Sequence, residues 1–297
     1  QEVKVNKSFM ILKEGESVLD IYEVDRFLGE GSFAEVYRVN HKYLGRQALK
    51  VFKAIETDIL EIKRKLEEAV ILSKIGHPNI IRVYDAGILK TSEGQRGYFT
   101  MEYISGGTLD SWIVSHEFKR VSIKDTINIV QQICMGLSVS HKKKPPIIHR
   151  DIKPQNILVN EDIDGLRIKI SDFGLAKEVN PLTLLASAKG TPVYKAPECL
   201  NDNMDSCAGD VWAIGVIFYI LVTRKFPFPI ESRDDLSSNI WQKYPLIPPS
   251  EYNVRIDDEL EEIILKALEI KPEERYQNAM VMLKDITRWK NKYQNTT

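Results

Sequence analysis

The sequence is poor in cysteine and has no long hydrophobic run. Its 297 residues contain three cysteines, an odd number, and none of them forms a C-x-x-C pair. A disulfide framework and a structural zinc site are therefore not expected, and we predict a cytoplasmic protein in a reducing compartment. The longest apolar stretch, at 211–222, has 12 residues and includes a glycine. Because a membrane-spanning helix needs about 20 residues, we expect no membrane segment in this chain.

Neither sign of charge is in excess. Against 41 lysines and arginines stand 42 acidic residues, which gives a formal net charge of -1. This balance predicts no general attraction to nucleic acid or to an anionic membrane. Hydrophobic residues make up 43% of the chain, as is typical of a globular protein with a substantial core. The chain begins with Gln1 rather than Met, so we expect a fragment or a processed product, with room for regulatory domains outside it.

The hydrophobic pattern divides the chain into a strand-rich first part and a helical second part. The predicted strands lie at 24–28, 34–40, 47–52, 80–84 and 98–103, with a polar loop at 91–97. The predicted helices lie at 58–75, from Ser122 onward, and at 210–223, 257–268 and 278–293. Together they predict an α+β fold with a small antiparallel β-sheet lobe and a larger, mainly helical lobe. The predicted boundaries are an N-terminal extension at 1–21, a small lobe at 22–103, a large lobe at 104–290 and a tail at 291–297.

A glycine-rich segment lies between the first two predicted strands. Residues 29–36 read GEGSFAEV, and glycines at this spacing let backbone N–H groups approach phosphate oxygens. Taken alone, the pattern favours an ordinary hairpin, because Ala34 stands where a third glycine would be expected. A dinucleotide-binding interpretation fails, because a strand follows the turn where that fold requires a helix.

The apolar strand at 47–52 contains a lysine. Burial of the Lys50 ammonium group in a cleft would be unfavourable unless its charge were paired. Glu68 on the following helix is the predicted partner. Such an ion pair would hold the ammonium group for contact with phosphate. Glu67 is the competing partner, one helical step of about 100° away. A surface lysine with its stem on apolar neighbours is the alternative interpretation.

The most informative segments are HRDIKPQN at 149–156, DFG at 172–174 and APE at 196–198. Asp151 can accept a proton from an attacking hydroxyl, and Lys153 can stabilise a transferred phosphoryl group. Asn156 and Asp172 offer the hard oxygen ligands that Mg²⁺ prefers. Unrelated polar loops do not explain three such segments that occur together, in order and at compatible spacings.

With these motifs the sequence resembles the eukaryotic-type (Hanks-type) serine/threonine protein kinase catalytic domain over about residues 22–290. The resemblance implies a bilobal fold whose small lobe carries one regulatory helix, and an activation segment at 172–198. It implies ATP and Mg²⁺ (or Mn²⁺) as cofactors and Ser/Thr hydroxyls of protein substrates as acceptors. The catalytic base would be Asp151.

The resemblance also assigns the nucleotide and metal sites. The residues implied to bind ATP are Leu28, Gly29, Gly31, Val36, Ala48, Lys50, Met101, Glu102, Ile104 and Leu158. Asn156 and Asp172 would hold the metal, and Lys50 with Glu68 would form the ion pair at the phosphates. Thr191, in the segment GTPVY at 190–194, would shape the acceptor pocket. This segment resembles that of Ser/Thr kinases rather than that of Tyr kinases.

Two other functions are compatible with parts of this pattern. One is a catalytically silent pseudokinase scaffold, which is disfavoured because every motif position with a chemical role holds a competent residue. The other is a small-molecule kinase of related fold. This alternative is disfavoured because the segment at 190–198 indicates a protein acceptor.

Regulation can be predicted from two cations near the segment 149–156, here called the catalytic loop. Arg150 directly precedes Asp151, and Lys177 follows the DFG segment, so the two could bind a phosphate on the activation segment. We predict Ser187 as a phosphorylation site that raises activity, with Thr183 as the alternative.

The resemblance further implies three structural roles. Asp210 should brace the catalytic loop, and Arg275 should pair with Glu198. An apolar column should be formed by Leu72, Val83, His149 and Phe173.

Overall fold

The computed structural model describes residues 10–31, 33–55, 59–116, 121–163, 165–173, 192–201, 204–229 and 240–296. The chain forms two compact units. The small lobe comprises Gln1–Gly76 and Ile81–Tyr103, and the large lobe comprises His77–Ile80 and Ile104–Thr297. His77–Ile80 fall within the predicted small lobe but pack with the large one, because the Asn79 side chain donates to Gln132 Oε1 at 2.9 Å.

The small lobe is built on a six-stranded antiparallel sheet in the order β1-β2-β3-β4-β6-β5. Its strands are β1 (Ser17–Val18), β2 (Tyr22–Glu30), β3 (Ala34–His41), β4 (Gly45–Phe52), β5 (Val83–Thr91) and β6 (Gly94–Glu102). The alternation of side chains places Tyr37, Val39, Leu49 and Val51 in one buried cluster. The loop predicted at 91–97 is wrong, because Thr91 pairs with Gly94 and the chain turns back within two residues.

The regulatory helix of the small lobe consists of two segments. They are α1 (Ile59–Lys65) and α2 (Glu67–Lys74), where the sequence predicts one helix over 58–75. Leu66 separates them with φ -79° and ψ -5°, although its N–H still donates to Ile62 O at 3.0 Å. The periodicity therefore predicts the extent of the helix but not its interruption.

The segment before β2 belongs to the small lobe. Leu12 and Val18 are each only 2% exposed and lie in the same cluster as the β3 and β4 side chains. Ser17 and Val18 also pair with β2. The described part of the predicted extension, residues 10–21, is thus a structural element of this lobe.

The large lobe is mainly helical. Its elements are α3 (Leu109–Ser115), α4 (Ile123–His141), β7 (Ile157–Asp162), β8 (Gly165–Ile170), α5 (Pro197–Asn201), α6 (Cys207–Thr223), α7 (Ile240–Lys243), α8 (Asp258–Ala267) and α9 (Ala279–Thr296). The side chains of Ser122, Ser206 and Asp257 cap the first turns of α4, α6 and α8. Because Ser206 supplies the cap, α6 begins three residues before its predicted start.

Helix α6 is buried on all sides from residue 208 to 222. This explains the apolar run at 211–222, since a helix that is hydrophobic all round belongs in a core or a membrane. Within the part of the chain that the structure describes, no helix has both the length and the apolar character needed to cross a membrane. The small sheet lobe and the helical large lobe confirm the predicted fold class.

Candidate active site

The glycine-rich turn joins β2 to β3. Gly29 pairs with Val36, and Gly31 N–H donates to Ala34 O at 2.8 Å. A Cβ built on Gly29 would meet no described atom within 4 Å, so packing inside the lobe does not require glycine there. Open space beside the backbone is what a phosphate would need for close approach. Leu28 lies at the adjacent irregularity of the β2–β3 pairing.

Strand register places four of the predicted nucleotide-binding side chains of the small lobe on one face of the sheet. Val36 is directly opposite Lys50, and Ala48 is directly opposite Met101. Directly opposed residues share a face, and Ala48 and Lys50 are two apart on one strand. Glu102 ends β6, where its N–H donates to Arg82 O at 2.9 Å.

The predicted ion pair between Lys50 and Glu68 is confirmed. Lys50 Nζ lies 3.3 Å from Glu68 Oε2, and the two side chains are 6% and 2% exposed. The ammonium group also lies 5.3 Å from the centre of the Phe99 ring, a cation–π distance. Glu67, the competing partner, is exposed. The ion pair therefore holds the Lys50 ammonium group in a defined position within the small lobe.

This arrangement predicts that Glu68→Gln lowers kcat/KM for ATP by about 10- to 100-fold, the equivalent of a hydrogen bond to a charged group. The loss follows because the neutral amide holds the Lys50 ammonium group less firmly. Steady-state kinetics with varied ATP measures it. Glu67→Gln is the matched control, since its side chain is exposed on the same helix. An equal effect of both substitutions would contradict the role of the ion pair.

The catalytic loop of the large lobe brings three predicted residues together. The Asp151 carboxylate accepts from Lys153 Nζ at 2.7 Å and from Asn156 Nδ2 at 2.9 Å. Asn156 Nδ2 also donates to Asp151 O at 2.8 Å. A short 3₁₀ turn, Pro154–Asn156, folds the chain back so that the Asn156 side chain reaches Asp151. Because the amide nitrogen faces Asp151, the amide oxygen is the Asn156 atom available to ligate a metal.

The DFG segment begins at the end of β8 and is linked to the catalytic loop by Ser171. Ser171 N–H and Oγ both donate to Asn156 O, at 2.9 and 3.1 Å. The next residue, Asp172, has a left-handed backbone with φ 60°. Phe173 is buried, and its ring centre lies 4.5 Å from that of His149. Ser171 therefore connects the backbones of the two predicted metal ligands, and no motif assigned it that role.

The donor set fits Mg²⁺. Asn156 and Asp172 provide one amide and one carboxylate, and Mg²⁺ is commonly bound by one or two carboxylates plus substrate phosphates. Among the described residues, no three or more His, Cys, Asp or Glu side chains are grouped as a metal site.

Asp210 at the start of α6 braces the catalytic loop, as predicted. Its Oδ2 accepts from His149 N–H at 2.8 Å, and its Oδ1 accepts from Arg150 N–H at 2.9 Å. Arg150 has φ 71°, a strained left-handed conformation that surrounding contacts must maintain. Burial raises the pKa of Asp210, but hydrogen bonding and the charge of His141 outweigh it and lower the pKa below its usual range.

His141 is a supporting residue that the motifs missed. Its Nε2 lies 2.9 Å from Asp210 Oδ2, and its Nδ1 lies 3.2 Å from the backbone nitrogen of Ala279. Burial lowers the pKa of His141, but its hydrogen bond to Asp210 raises it to about 9. The only sequence signal was a histidine in the last turn of α4.

The predicted pair of Arg275 and Glu198 is also confirmed. Arg275 donates from two nitrogens to the two carboxylate oxygens of Glu198, at 2.7 and 3.2 Å. The two side chains are 0% and 8% exposed, and the guanidinium carbon lies 5.1 Å from the Trp212 ring centre. The pair anchors the APE segment in the core.

Arg150 has a partner that the sequence did not indicate. Its Nε lies 3.1 Å from Asp205 Oδ2. The other residues predicted to regulate the chain or to shape the acceptor pocket lie outside the described residues. They are Lys177, Thr183, Ser187 and Thr191. Their roles stay predictions.

Ile104 and Leu158, the last two residues predicted to bind ATP, belong to the large lobe. Each is partly exposed, and Leu158 forms a β-bridge with Thr108. Of the predicted apolar column, His149 and Phe173 contact each other in the large lobe. Leu72 is buried and Val83 partly buried in the small lobe.

Comparison with known proteins agrees with this geometry. A family model described as "Protein kinase domain" matches residues 22–286. The chain belongs to the protein kinase domain family. It is 34% identical over 278 residues to the "Probable serine/threonine-protein kinase" of Clostridium acetobutylicum. This match covers 92% of this chain and 40% of that protein. It is 34% identical over 274 residues to the serine/threonine-protein kinase PknB of Mycobacterium leprae, with 91% and 43% covered.

A solved structure shows the same fold. The PknI kinase domain of Mycobacterium tuberculosis matches with a TM-score of 0.68 at 23% identity, and the match covers 94% of this chain and 99% of that chain. The protein kinase domain described here spans about two fifths of the length of the curated relatives it matches.

Proposed function

We propose that the protein is a serine/threonine protein kinase that transfers the γ-phosphoryl group of ATP to protein hydroxyls. The observation that carries this proposal is the catalytic loop, where Lys153 and Asn156 donate to the Asp151 carboxylate. Membership of the protein kinase domain family and the two serine/threonine-protein kinases among its relatives support it.

Asp151 acts as the catalytic base in this proposal. The acceptor oxygen forms a bond to the γ-phosphorus, its proton passes to the Asp151 carboxylate, and the bond from the γ-phosphorus to the bridging oxygen breaks to release ADP. Lys153 keeps the carboxylate in place and offers positive charge to the transferred group. Asp210 holds the loop through the N–H groups of His149 and Arg150.

ATP and Mg²⁺ are the proposed cofactors. In the small lobe the backbone at Gly29 and Gly31 and the Lys50–Glu68 pair serve the phosphates, while the other proposed contacts serve the nucleotide. These other contacts are Leu28, Val36, Ala48, Met101, Glu102, Ile104 and Leu158. Asn156 and Asp172 would hold Mg²⁺, which would neutralise phosphate charge when bound. Mg²⁺ is the proposed metal, with Mn²⁺ as the alternative.

Phosphorylation of Ser187, with Thr183 as the alternative, is proposed to raise activity through Arg150 and Lys177. Since Arg150 pairs with Asp205, a phosphate would have to share or replace this carboxylate. Thr191 is proposed to shape the acceptor pocket. A protein substrate follows from the proposed activity, and regulatory domains outside these residues are proposed because the relatives are longer. The cytoplasmic location stays a prediction.

Intact-mass analysis tests the proposed activity. The protein is incubated with Mg²⁺-ATP, first alone and then with a generic protein substrate or a panel of small alcohols. We expect mass increases of one phosphoryl group on protein and none on the alcohols. Phosphorylation of alcohols alone would favour a small-molecule kinase. ATP binding without any transfer would favour the pseudokinase scaffold.

Asp172→Asn tests the metal site separately. We expect the variant to need a higher Mg²⁺ concentration for half-maximal ATP use, because an amide oxygen is a weaker ligand than a carboxylate. A Mg²⁺ titration of the initial rate measures the shift, and nucleotide binding in the presence of EDTA serves as the control. An unchanged Mg²⁺ dependence would contradict the assignment of Asp172.

A further inference from the structure

Residues 10–18, here called the strap, pack on the face of the small-lobe sheet that carries Tyr37 and Val39. Leu12 and Val18 are each 2% exposed and pack in one cluster with Tyr37 and Val39 of β3. The strap precedes the region matched by the family model, which begins at residue 22. Its contacts are therefore a feature of this chain that the shared motifs do not describe.

The strap donates two backbone hydrogen bonds to β3. Ile11 N–H donates to Glu35 Oε2 at 3.0 Å, and Leu12 N–H donates to Tyr37 OH at 3.1 Å. The Tyr37 hydroxyl in turn donates to the same Glu35 oxygen. Burial, followed by the hydrogen bond to Glu35, raises the pKa of Tyr37, so the phenol keeps its proton and acts as a donor.

Glu35 is a buried carboxylate, 5% exposed, whose donors come from the strap and from Tyr37. A carboxylate at this depth is unfavourable unless hydrogen bonds replace its hydration. Loss of the Ile11 donor would leave the Glu35 carboxylate with fewer hydrogen bonds in a buried position and so weaken the contact between the strap and β3. The strap and Glu35 therefore depend on each other.

The position of Glu35 connects this contact to the glycine-rich turn. Glu35 pairs with Glu30 at the last rung of the hairpin, and the next rung pairs Val36 with Gly29. Val36 lies on the same face as Lys50, and successive residues of a strand point to opposite faces. The strap thus holds the end of the hairpin from the face opposite to Val36 and Lys50.

We propose that Glu35 is a positioning residue for nucleotide binding, through which the strap fixes the hairpin end that carries the glycine-rich turn. The inference rests on the proposed function, in which this turn binds the ATP phosphates. A turn that is already fixed loses less conformational entropy when a ligand binds. Loosening it should weaken ATP binding, while the proton transfer at Asp151 stays the same.

Two variants break the contact in different ways. Ile11→Pro removes the N–H donor and keeps an apolar side chain, and Ile11→Val is its matched control because it keeps the donor. Glu35→Ala removes the acceptor, and Glu35→Gln restores an oxygen that can accept. Leu89→Ala is the control for core stability, because Leu89 lies in the same buried cluster and donates no strap hydrogen bond.

Calorimetric titration with Mg²⁺-ATP and steady-state kinetics provide the readout, at a temperature where thermal unfolding shows every variant folded. We expect Ile11→Pro and Glu35→Ala to raise both the Kd and the KM for ATP about three- to tenfold, the scale of one hydrogen bond. The kcat should change by less than about twofold. Glu35→Gln, Ile11→Val and Leu89→Ala should remain close to the wild type.

Three results would overturn the proposal. ATP binding by Ile11→Pro equal to that by Ile11→Val would do so, as would an effect of Leu89→Ala as large as that of Glu35→Ala. A fall in kcat at unchanged KM would place the effect in the chemical step instead. Failure of the proposed function would be distinguishable, since the wild type itself would then bind no Mg²⁺-ATP or would bind it without transferring a phosphoryl group. If Glu35→Ala does not fold, the pair of Ile11 variants decides.

Discussion

Asp151→Asn is expected to slow phosphoryl transfer by about 10²–10⁴, the usual contribution of a positioned general base. The amide cannot take up the proton of the acceptor hydroxyl as a carboxylate does. Its oxygen can still accept from Lys153 and Asn156, which donate to the carboxylate at 2.7 and 2.9 Å. The loop should therefore keep its conformation. Single-turnover rates at saturating Mg²⁺-ATP measure the effect on the chemical step.

The control for Asp151→Asn is the same change at an exposed position. Asp20 lies in an exposed turn of the small lobe with φ 57°, a conformation that asparagine tolerates well, so Asp20→Asn should leave the rate unchanged. ATP affinity and unfolding temperature should match the wild type in both variants. A transfer rate for Asp151→Asn within a few fold of the wild type would exclude Asp151 as the base.

Glu198→Ala is expected to reduce the free energy of unfolding by about 3–5 kcal/mol, because it leaves the buried Arg275 charge without its carboxylate. Arg275 is fully buried and donates two hydrogen bonds to Glu198. Carbonyl oxygens such as Glu269 O also accept from Arg275, but they carry no full charge. Denaturant unfolding followed by circular dichroism measures the change.

The matched control is Glu274→Ala, which breaks an exposed ion pair in the same lobe. Lys271 and Glu274 are 2.8 Å apart, with side chains 65% and 51% exposed, and such pairs contribute about 0–1 kcal/mol. Similar losses from Glu198→Ala and Glu274→Ala would show that burial does not set the strength of the Arg275 pair.

Charged residues in apolar surroundings were the most predictable part of the site. Lys50 in an apolar strand required a carboxylate, and Glu68 on the following helix was the predicted partner, with Glu67 as its competitor. The motifs around Asp151 and Asp172 carried the remaining chemistry, because each combines residue types that phosphoryl transfer needs in a fixed order. Resemblance to a known family, rather than periodicity, supplied the roles of Asp210 and Arg275.

The elements that sequence reasoning missed have weak local patterns. Most of β5 is exposed, so residues 85–90 were not predicted as part of a strand. The polar run at 91–97 was predicted as a loop, although it includes the end of β5 and the start of β6. The strap has only Leu12 and Val18 as fully buried apolar residues between charged neighbours, too few to show a period. Contacts such as Asp205 with Arg150 and Ile11 with Glu35 depend on tertiary structure, and no local spacing encodes them.

The all-round burial of α6 has a consequence for amide hydrogen exchange. Amides in a fully buried helix exchange with solvent mainly when the whole domain unfolds. Asp210 belongs to this helix and accepts the N–H groups of His149 and Arg150. These two loop amides should therefore show protection factors close to those of α6, although most loop amides exchange quickly. The catalytic loop would behave kinetically as part of the core.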